Sequence, residues 1–323
     1  MEGTQSAEEI AAIPGAEAMS TSPIRFDDRV AIVTGAGNGL GRSHALSLAA
    51  RGARVVVNDR GAALDGSGAS ASPAAQVAAE IAALGGIAFA DETNITDFGA
   101  VAAMAQRTMA RWGRIDILVC NAGILRDKSF AKMELGDFRA VIEVHVMGAV
   151  HCAKAVWETM RSQNYGRIVF TTSSSGLYGN FGQANYGAAK TALIGLMNVL
   201  HHEGQKNGIR VNILSPTAAT RMTEQFLPDE DKDLLSPESV TPGLLYLVGE
   251  DAPSRMMLCA GAGCFARAEL LESEGCFLPE AERSPEAVAA LIEAQADGAL
   301  APLSGAWAQT KKYVTMAKKV LGR

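Results

Sequence analysis

The sequence has few cysteines, no regular cysteine spacing and no excess of positive charge. Five cysteines in 323 residues are scattered and include no C-x-x-C pair, which argues against a disulfide framework or a metal-binding motif. We therefore predict reduced thiols, no bound metal and a cytoplasmic location. The formal net charge of −6 provides no basic surface for phosphate backbones, so we expect no nucleic-acid partner.

Long apolar runs and targeting segments are also missing. The longest candidate run, "MMLCAGAGCF" at 256–265, is shorter than the roughly 18–20 residues that span a bilayer, and we predict no stable membrane insertion. The segment 1–23 is acidic and lacks the basic start and apolar stretch of a secretion signal. We predict a mobile tail or a short amphipathic helix there. The C-terminal "VLGR" is not a peroxisomal signal of the S-K-L type.

The chain does contain a regular alternation of short β-branched runs with alanine-rich helical stretches. The runs predict buried parallel strands at 29–35, 53–59, 115–123, 166–173 and 209–216. The stretches between them predict helices at 40–51, 73–84, 97–112, 137–162 and 186–206. Because such helices return the chain to the same sheet edge, we predict one doubly wound α/β domain of Rossmann type with a parallel sheet over 24–265, followed by a C-terminal extension over 266–323.

A small, polar segment interrupts this alternation after the second strand. The stretch "RGAALDGSGASASP" at 60–73 has the composition of a solvent loop. Because it follows the carboxyl end of a strand, it could instead flank a bound nucleotide.

A glycine-rich turn joins the first strand to the first helix. The stretch "VAIVTGAGNGLGRS" contains Gly35, Gly39 and Gly41 in the pattern T-G-x-x-x-G-x-G. Glycines allow the backbone to approach a phosphate closely, and a helix N-terminus offers it free N–H groups. No Gly-Lys-Ser/Thr ends the turn, which excludes a Walker loop. The usual G-x-G-x-x-G pattern also fails, because residue 40 is leucine.

An acidic side chain ends the second strand. Asp59 closes "VVVND", where a carboxylate suits the ribose hydroxyls of NAD and repels the 2′-phosphate of NADP. Asp59 therefore predicts NAD. Arg60 is the counter-argument, because a guanidinium there could neutralise such a phosphate.

A tyrosine and a lysine share one face of a predicted helix. Tyr186 and Lys190 lie four residues apart, one turn above the other, and Ser173 ends the preceding strand. A free tyrosine has a pKa near ~10, too high for a base at neutral pH. A neighbouring ammonium and an oxidised nicotinamide would lower that pKa. The alternative is a half-buried tyrosine with a lysine that reaches solvent.

Taken in order, the T-G-x-x-x-G-x-G turn, "NAG" at 121–123, Ser173 and Tyr186-x-x-x-Lys190 resemble the short-chain dehydrogenase/reductase family. The resemblance covers about 24–265. It implies that Tyr186 is the acid/base, that Ser173 orients the substrate oxygen, and that Lys190 holds the nicotinamide ribose. It further implies a cofactor site made by Gly35, Asn38, Gly39, Leu40, Gly41, Asp59, Asn94, Ile95, Asn121, Ala122, Gly123, Tyr186, Lys190, Pro216, Thr217 and Thr220.

Three positions depart from the family pattern. Cys120 replaces the first asparagine of "NNAG", which we expect to change local strand packing only. Asn94 replaces an aspartate often found near the adenine, and its amide can still form a hydrogen bond. His145 replaces an asparagine that supports a proton-relay water. An imidazole can hold such a water, and the alternative is a histidine that packs inside the helix.

Several stretches resemble one subgroup, the (3R)-hydroxyacyl-CoA dehydrogenase region of peroxisomal multifunctional enzyme type 2, also called 17β-hydroxysteroid dehydrogenase type 4, and its bacterial single-domain relatives. These are "VVVNDRG", "NAGILRDKSFAKM", "YGNFGQANY" and "SPTAATRMTE". A histidine at position 145 is usual in that subgroup. The resemblance implies oxidation of a secondary alcohol on a bulky apolar substrate, in lipid or steroid breakdown, by a homodimer or homotetramer.

The substrate itself stays open between an acyl-CoA and a steroid. Lys128, Lys132 and Arg221 are candidates for the CoA phosphates. An apolar substrate slot would be lined by Leu177, Phe181, Met222, Phe226 and Leu227. Two other functions are kept, an NADP-dependent ketoreductase and a non-catalytic NAD-sensing module. The first conflicts with Asp59, and the second does not require all of Ser173, Tyr186 and Lys190.

The C-terminal extension is predicted to cover either the substrate cleft or a neighbouring subunit. Its last segment, "WAQTKKYVTMAKKV" at 307–320, predicts an amphipathic helix. The lysines there form a solvated face, or alternatively contact CoA or an anionic membrane.

Overall fold

A computed structural model of the chain describes residues 23–70, 72–221, 228–295 and 298–323. The strands are β1 Val30–Thr34, β2 Arg54–Asn58, β3 Ile87–Asp91, β4 Ile117–Cys120, β5 Gly166–Thr171, β6 Ile209–Thr217, β7 Met257–Gly261, β8 Cys264–Ala268, β9 Leu271–Ser273 and β10 Leu300–Pro302. The helices are α1 Gly39–Ala50, α2 Ser72–Ala83, α3 Phe98–Trp112, α4 Leu135–Ile142, α5 Gly148–Gln163, α6 Ser174–Tyr178, α7 Ala184–Gly204, α8 Asp229–Lys232, α9 Pro237–Leu247, α10 Pro285–Ala294 and α11 Ala306–Leu321.

Eight strands form the central sheet in the order β3-β2-β1-β4-β5-β6-β7-β8. The first seven are parallel, and β8 pairs antiparallel with β7 at one edge. The strand order reverses between β1 and β4, and in open α/β sheets ligands bind outside the carboxyl ends of the strands at this point. The fold therefore positions a site where "VTGAG" and "CNAG" end.

Helices cover both faces of the sheet because alternate residues of each strand point to opposite sides. Ala31 and Val33 pack with α1, α2 and α9 on one face. Ile32, between them, packs with α3, α5 and α7 on the other face. Burial on both faces explains why these strands read as continuous apolar runs.

The predicted helix 137–162 is one continuous helix with an irregular centre. Between α4 and α5, Glu143–Met147 forms a π-turn that carries His145. The whole segment Leu135–Gln163 is long and apolar enough to cross a membrane by length and composition. Core helices of soluble proteins pass the same test, so this is weak evidence. Polar residues interrupt the apolar ones in this helix, so it contains no long apolar run of the kind considered in the sequence.

The C-terminal part of the chain packs differently from the rest. In the described residues from Gly261 onward no side chain is buried. β9 and β10 form a separate two-stranded sheet, and the extension meets the rest of the fold where Arg255 Nη1 donates to the Ser304 carbonyl, 3.0 Å away. The boundary predicted at 265 falls inside β8.

The doubly wound fold class is confirmed, and each predicted strand and helix is present within a few residues. Among the described residues, five strands (β3, β7, β8, β9 and β10) and four helices (α6, α8, α9 and α10) were not predicted. β3 is a sheet edge with little β-branched content, β7 and β8 come from the segment noted only as an apolar run, and α9 contains an internal proline, Pro242.

Candidate active site

A cleft with about 1030 Å³ of empty space, including its open mouth, lies at the carboxyl ends of β1, β2 and β4. Most of the predicted cofactor residues line it. These are Gly35, Asn38, Gly39, Leu40, Asp59, Asn94, Ile95, Asn121, Ala122, Gly123 and Thr220. The structure thus brings together side chains that are far apart in the sequence.

The glycine turn is packed too tightly for side chains. Gly35 and Gly39 have positive φ angles of 64° and 50°, where glycine is favoured. A Cβ on Gly41 would lie 2.2 Å from the Gly35 carbonyl oxygen, so Gly41 allows the helix to pack on the turn. α1 begins at Gly39 with no side-chain cap and no acidic residue in its first turn. Its N-terminal N–H groups and positive dipole end therefore suit a phosphate.

Asp59 is held by the turn that it faces. The Gly37 N–H donates to Asp59 Oδ2 (2.9 Å), and the Gly61 N–H donates to Oδ1 (2.7 Å). The carboxylate is therefore fixed at the cleft with acceptor capacity left on both oxygens. Arg60 Nη2 instead donates to the Gly68 carbonyl, 3.0 Å away. Its guanidinium thus closes the loop on itself.

The insertion after β2, residues 60–70, is here called the insertion loop. Arg60, Ala62, Ala63, Leu64 and Gly66 line the cleft. The expectation of a plain solvent loop is therefore wrong for these residues, and the alternative, a loop beside a nucleotide site, describes where the structure places them.

The residues after β4 form the opposite wall of the cleft. Asn121 Nδ2 donates to the carbonyls of Thr34 and Gly35, at 3.2 and 3.1 Å, so its side chain joins β4 to the glycine turn. Gly123 packs directly on His145, because a Cβ there would lie 2.2 Å from the imidazole Cε1. Cys120 is buried, and a hydrogen bond with Cys152 together with burial raises its thiol pKa.

His145 lies inside the fold on the π-turn and is 3% exposed. Its Nε2 is 3.0 Å from the backbone N and 2.9 Å from the carbonyl O of Ile124, so either neutral tautomer has a partner at this nitrogen. Burial lowers its pKa to about 3, and the ring is therefore neutral at physiological pH. Its Nδ1 has no hydrogen-bond partner among the described residues. His145 and Lys190 also line a cavity of about 10 Å³, close to the size that holds one water.

Ser173, Tyr186 and Lys190 converge as predicted from the strand end and the helix face. Ser173 caps α6, and an interaction with its hydroxyl favours a lower pKa for the Tyr186 phenol. Lys190 Nζ lies 5.4 Å from the centre of the Tyr186 ring. The ammonium donates to the Thr171 carbonyl, 2.6 Å away, which fixes the lysine behind the tyrosine.

The pKa values of this pair differ from the prediction for the tyrosine. Burial raises the pKa of Tyr186 to about 12, whereas we predicted that Lys190 would lower it. Burial also lowers the pKa of Lys190 to about 7, so the lysine carries only part of its charge at neutral pH. In each group desolvation by burial is the largest cause of the pKa shift, because burial disfavours the charged form.

Some predicted residues lie elsewhere or outside the described residues. Pro216 and Thr217 end β6 and pair with β7, and neither lines the cleft in the described part of the chain. Phe181 is 91% exposed, whereas Leu177 packs on the core. The remaining slot residues, Met222, Phe226 and Leu227, fall outside the residues that the structure describes.

The candidates for CoA phosphates also have different surroundings. Lys128 Nζ pairs with Asp137 Oδ2 at 3.2 Å, Lys132 is exposed, and Arg221 lines the dinucleotide cleft. All three side chains are exposed to solvent.

Sequence reasoning missed several residues of the cleft. Asn58 donates through Nδ2 to the Thr93 carbonyl, 3.0 Å away, and both residues line the cleft together with Ile124 and Val144. A polar residue at the end of the apolar run "VVVN" was the available signal for Asn58. Thr93 follows β3, and it was missed because that strand was missed.

The residues present fit a dinucleotide. Three features provide contacts for a pyrophosphate and a ribose. These are the glycine turn, which has no room for a Cβ, the N-terminus of α1, which has no acidic residue in its first turn, and the carboxylate of Asp59, which is held at the end of the neighbouring strand. The pair Ser173 and Tyr186 provides hydroxyls for a substrate oxygen. The arrangement can therefore bind a nicotinamide cofactor and move a proton.

Comparisons with known proteins agree with this geometry. The sequence profile described as short chain dehydrogenase matches residues 29–231. A short-chain type dehydrogenase/reductase of Mycobacterium tuberculosis is 47% identical over 249 residues, covering 77% of this chain and 87% of that protein.

A larger relative and a solved structure extend the comparison. The peroxisomal multifunctional enzyme type 2 of Mus musculus is 44% identical over 270 residues, covering 83% of this chain. The match spans only 36% of the mouse enzyme's length. A solved 7α-hydroxysteroid dehydrogenase, complexed with NADH and 7-oxo glycochenodeoxycholic acid, aligns with a TM-score of 0.67 at 30% identity, covering 74% of this chain and 95% of that one.

Proposed function

Because the chain belongs to the short-chain dehydrogenase family, whose enzymes act on CH–OH groups with a nicotinamide cofactor, we propose that it is an NAD-dependent (3R)-hydroxyacyl-CoA dehydrogenase. The resemblance to the family and to the multifunctional-enzyme subgroup is confirmed by the comparisons. The observation that carries the proposal is the contact of Ser173 with Tyr186, with Lys190 buried behind them.

The proposed chemistry divides roles among the residues of this chain. A bound nicotinamide supplies the hydride acceptor. Tyr186 Oη takes the proton of the substrate hydroxyl, and Ser173 Oγ donates a hydrogen bond to the substrate oxygen. The raised pKa of Tyr186 keeps the phenol protonated in the free protein, so it also suits the reverse reaction, in which it protonates a ketone oxygen.

NAD rather than NADP is proposed on the position of two side chains. Asp59 faces the cleft close to the expected ribose, where a carboxylate would repel a 2′-phosphate. Arg60, the residue that could have offset this charge, bonds to the Gly68 carbonyl. A ketoreductase that uses NADP is the alternative and would require Arg60 to leave that bond. A non-catalytic NAD sensor has no need of Ser173, Tyr186 and Lys190 together.

A hydroxysteroid is the second candidate substrate, because the solved relative complexed with NADH is a hydroxysteroid dehydrogenase. The two substrates share a secondary alcohol beside a large apolar body. We also propose a cytoplasmic homodimer or homotetramer. Exposed apolar side chains in the extension, such as Ile292 at 61% and Trp307 at 84%, support subunit contacts.

The deciding experiment measures NADH formation from NAD⁺ with the purified chain and a panel of alcohols. We expect turnover with 3-hydroxyacyl-CoA, less with estradiol or testosterone, and a much lower rate when NADP⁺ replaces NAD⁺. Turnover only with a small sugar or polyol would overturn the substrate class. A preference for NADP⁺ would overturn the assigned cofactor.

A further inference from the structure

The insertion loop is an ordered strap across one half of the cleft. The Ser70 N–H donates to the Arg60 carbonyl (2.8 Å), and the Ala63 N–H donates to the Ser67 carbonyl (2.9 Å). These bonds fold the loop on itself, and they bring Leu64 and Gly66 to the cleft wall. On the proposed function, this wall faces the adenosine half of NAD, because Asp59 lies at the base of the same loop.

The tip of the insertion loop, residues 64–66, contacts the segment after β4, residues 124–126, on the other side of the cleft. The Leu125 N–H donates to the Leu64 carbonyl, 2.9 Å away. Arg126 Nε donates to the Asp65 carbonyl, 3.0 Å away. Gly66 rests on Ile124, since a Cβ there would lie 3.1 Å from Ile124 Cγ2. Of the two hydrogen bonds, the one from Arg126 uses a side chain, which can be changed without altering the backbone donors.

Arg126 is itself held by the catalytic part of the fold. Its Nη1 donates to Asp137 Oδ1 on α4, 3.1 Å away. Its backbone carbonyl accepts a hydrogen bond from Asn185 Nδ2 at 2.9 Å. Asn185 is fully buried, and it directly precedes Tyr186. Arg126, which contacts the insertion loop, is therefore hydrogen-bonded through its carbonyl to α7, the helix that carries Tyr186.

We propose that Arg126 is a positioning residue that fastens the insertion loop over the adenosine half of the dinucleotide cleft and so retains the cofactor. The inference rests on the proposed function, since it takes NAD to be the occupant. Arg126 acts through the loop and need not touch the reacting atoms. Its loss should therefore weaken cofactor binding and leave the chemical step nearly unchanged.

The test compares Arg126→Gln with the unmodified chain by NADH fluorescence titration. We expect the dissociation constant of NADH to rise roughly threefold to tenfold, as for the loss of a partly exposed charged hydrogen bond. The KM for NAD should rise by a similar factor, while kcat stays within about twofold, because only binding interactions are lost. Hydrogen exchange at the Leu125 amide should also accelerate, because its hydrogen bond to the Leu64 carbonyl is no longer supported by the adjacent bond from Arg126 to the Asp65 carbonyl.

Two variants control for charge and for the ion pair. Arg139→Gln removes an exposed guanidinium from α4, and it should leave NADH affinity unchanged. Lys128→Gln removes the other cation on Asp137 without touching the strap, and its NADH affinity should also be unchanged. Arg126→Lys, which can reach one of the two acceptors but not both, should give an intermediate affinity and serves if the glutamine variant fails to fold.

The possible results separate this inference from the proposed function. If the unmodified chain binds no NADH, the proposed function fails and the inference with it. If the unmodified chain binds NADH and folded Arg126→Gln binds equally well, only the role of Arg126 is refuted. A fall in kcat with unchanged NADH affinity would also refute it, because that result would assign Arg126 to the chemical step.

Discussion

At the residue scale, Asp59 shows how one carboxylate can act both on the fold and on a ligand. It accepts the N–H groups of Gly37 and Gly61, which ties the glycine turn to the start of the insertion loop. The same charge faces the cleft. Any substitution of Asp59 therefore changes both the shape and the electrostatics of the cofactor site.

Asp59→Asn keeps the size of the side chain and one acceptor oxygen but removes the charge. We expect the KM for NAD to rise about tenfold and turnover with NADP to become measurable, because repulsion of a 2′-phosphate is lost. Steady-state kinetics with both cofactors measures this. Asp65→Asn in the exposed part of the same loop is the control, and an equal effect there would show that Asp59 has no special part in cofactor choice.

The catalytic residues could be predicted at this scale because their signals are local. Tyr186 and Lys190 are four residues apart on one helix, and the glycine turn lies within one strand–helix connection. The tyrosine pKa could not be predicted, since burial depends on residues such as Ile124 and Val141 that pack on the ring. Those residues come from distant parts of the sequence.

At the scale of elements, the π-turn Glu143–Met147 places His145 where a regular helix would not. The extra residue turns the imidazole inward to Gly123 and Ile124, and π-turns are frequent at functional sites. Sequence periodicity predicts the helix but gives no sign of the irregular turn. The same is true of the strap, because the Arg126 to Asp65 contact joins residues 61 positions apart.

His145→Leu keeps most of the ring volume and removes Nε2, the nitrogen that contacts both the backbone N and the carbonyl oxygen of Ile124. We expect the free energy of unfolding to fall by about 1–3 kcal/mol, as for a buried backbone group left without its partner. NADH affinity should fall several-fold, because the loop 121–124 is the cleft wall. Denaturant unfolding and NADH titration measure these effects, with exposed His202→Leu as the control.

The outcome also separates the two roles considered for His145. If the variant lowers kcat alone, changes the solvent isotope effect and leaves both NADH affinity and stability intact, a proton relay through the cavity shared with Lys190 is the better account. A combined loss of affinity and stability assigns His145 to positioning the wall.

At the scale of the whole molecule, the structure contains two buried neutral histidines. His44 is 0% exposed between α1 and α9 and bonds through Nδ1 to Thr241 Oγ1, 2.9 Å away. Burial lowers its pKa to about 3, and the same holds for His145. Both rings are protonated in the unfolded chain near pH ~6.5 but stay neutral in the folded protein until about pH 3.

Stability should therefore decline on the acid side before the carboxylates titrate. A lowered folded pKa means that the unfolded chain binds more protons between about pH 6.5 and 3, so the stabilisation is present above that window and is lost as pH falls through it. Two histidines give a slope of about 2.7 kcal/mol per pH unit. Urea unfolding at pH 6 to 4.5 measures this slope.

His44→Asn should remove about half of that slope, whatever its effect on stability at neutral pH, because one proton fewer is taken up on unfolding. Exposed His202→Asn is the matched control and should leave the slope unchanged. An unaltered slope in His44→Asn would show that His44 is accessible to protons in the folded state.

The centre of the sheet could be predicted from the sequence more readily than the strand β8 at its edge and the C-terminal extension. Strands buried on both faces leave continuous apolar runs, and these runs predicted five of the eight strands of the central sheet. β8, β9 and β10 have no buried side chains, so no apolar run predicted them as strands, whereas the amphipathic pattern at 307–320 predicted α11.

The central claim is that Tyr186 moves the substrate proton, and one measurement tests it most directly. NADH binding and NAD⁺-dependent turnover are measured on Tyr186→Phe beside Tyr178→Phe, an exposed tyrosine eight residues earlier. We predict that Tyr186→Phe binds NADH with unchanged affinity while kcat falls at least about a hundredfold, and that Tyr178→Phe is unaffected. Turnover retained in folded Tyr186→Phe would contradict the claim.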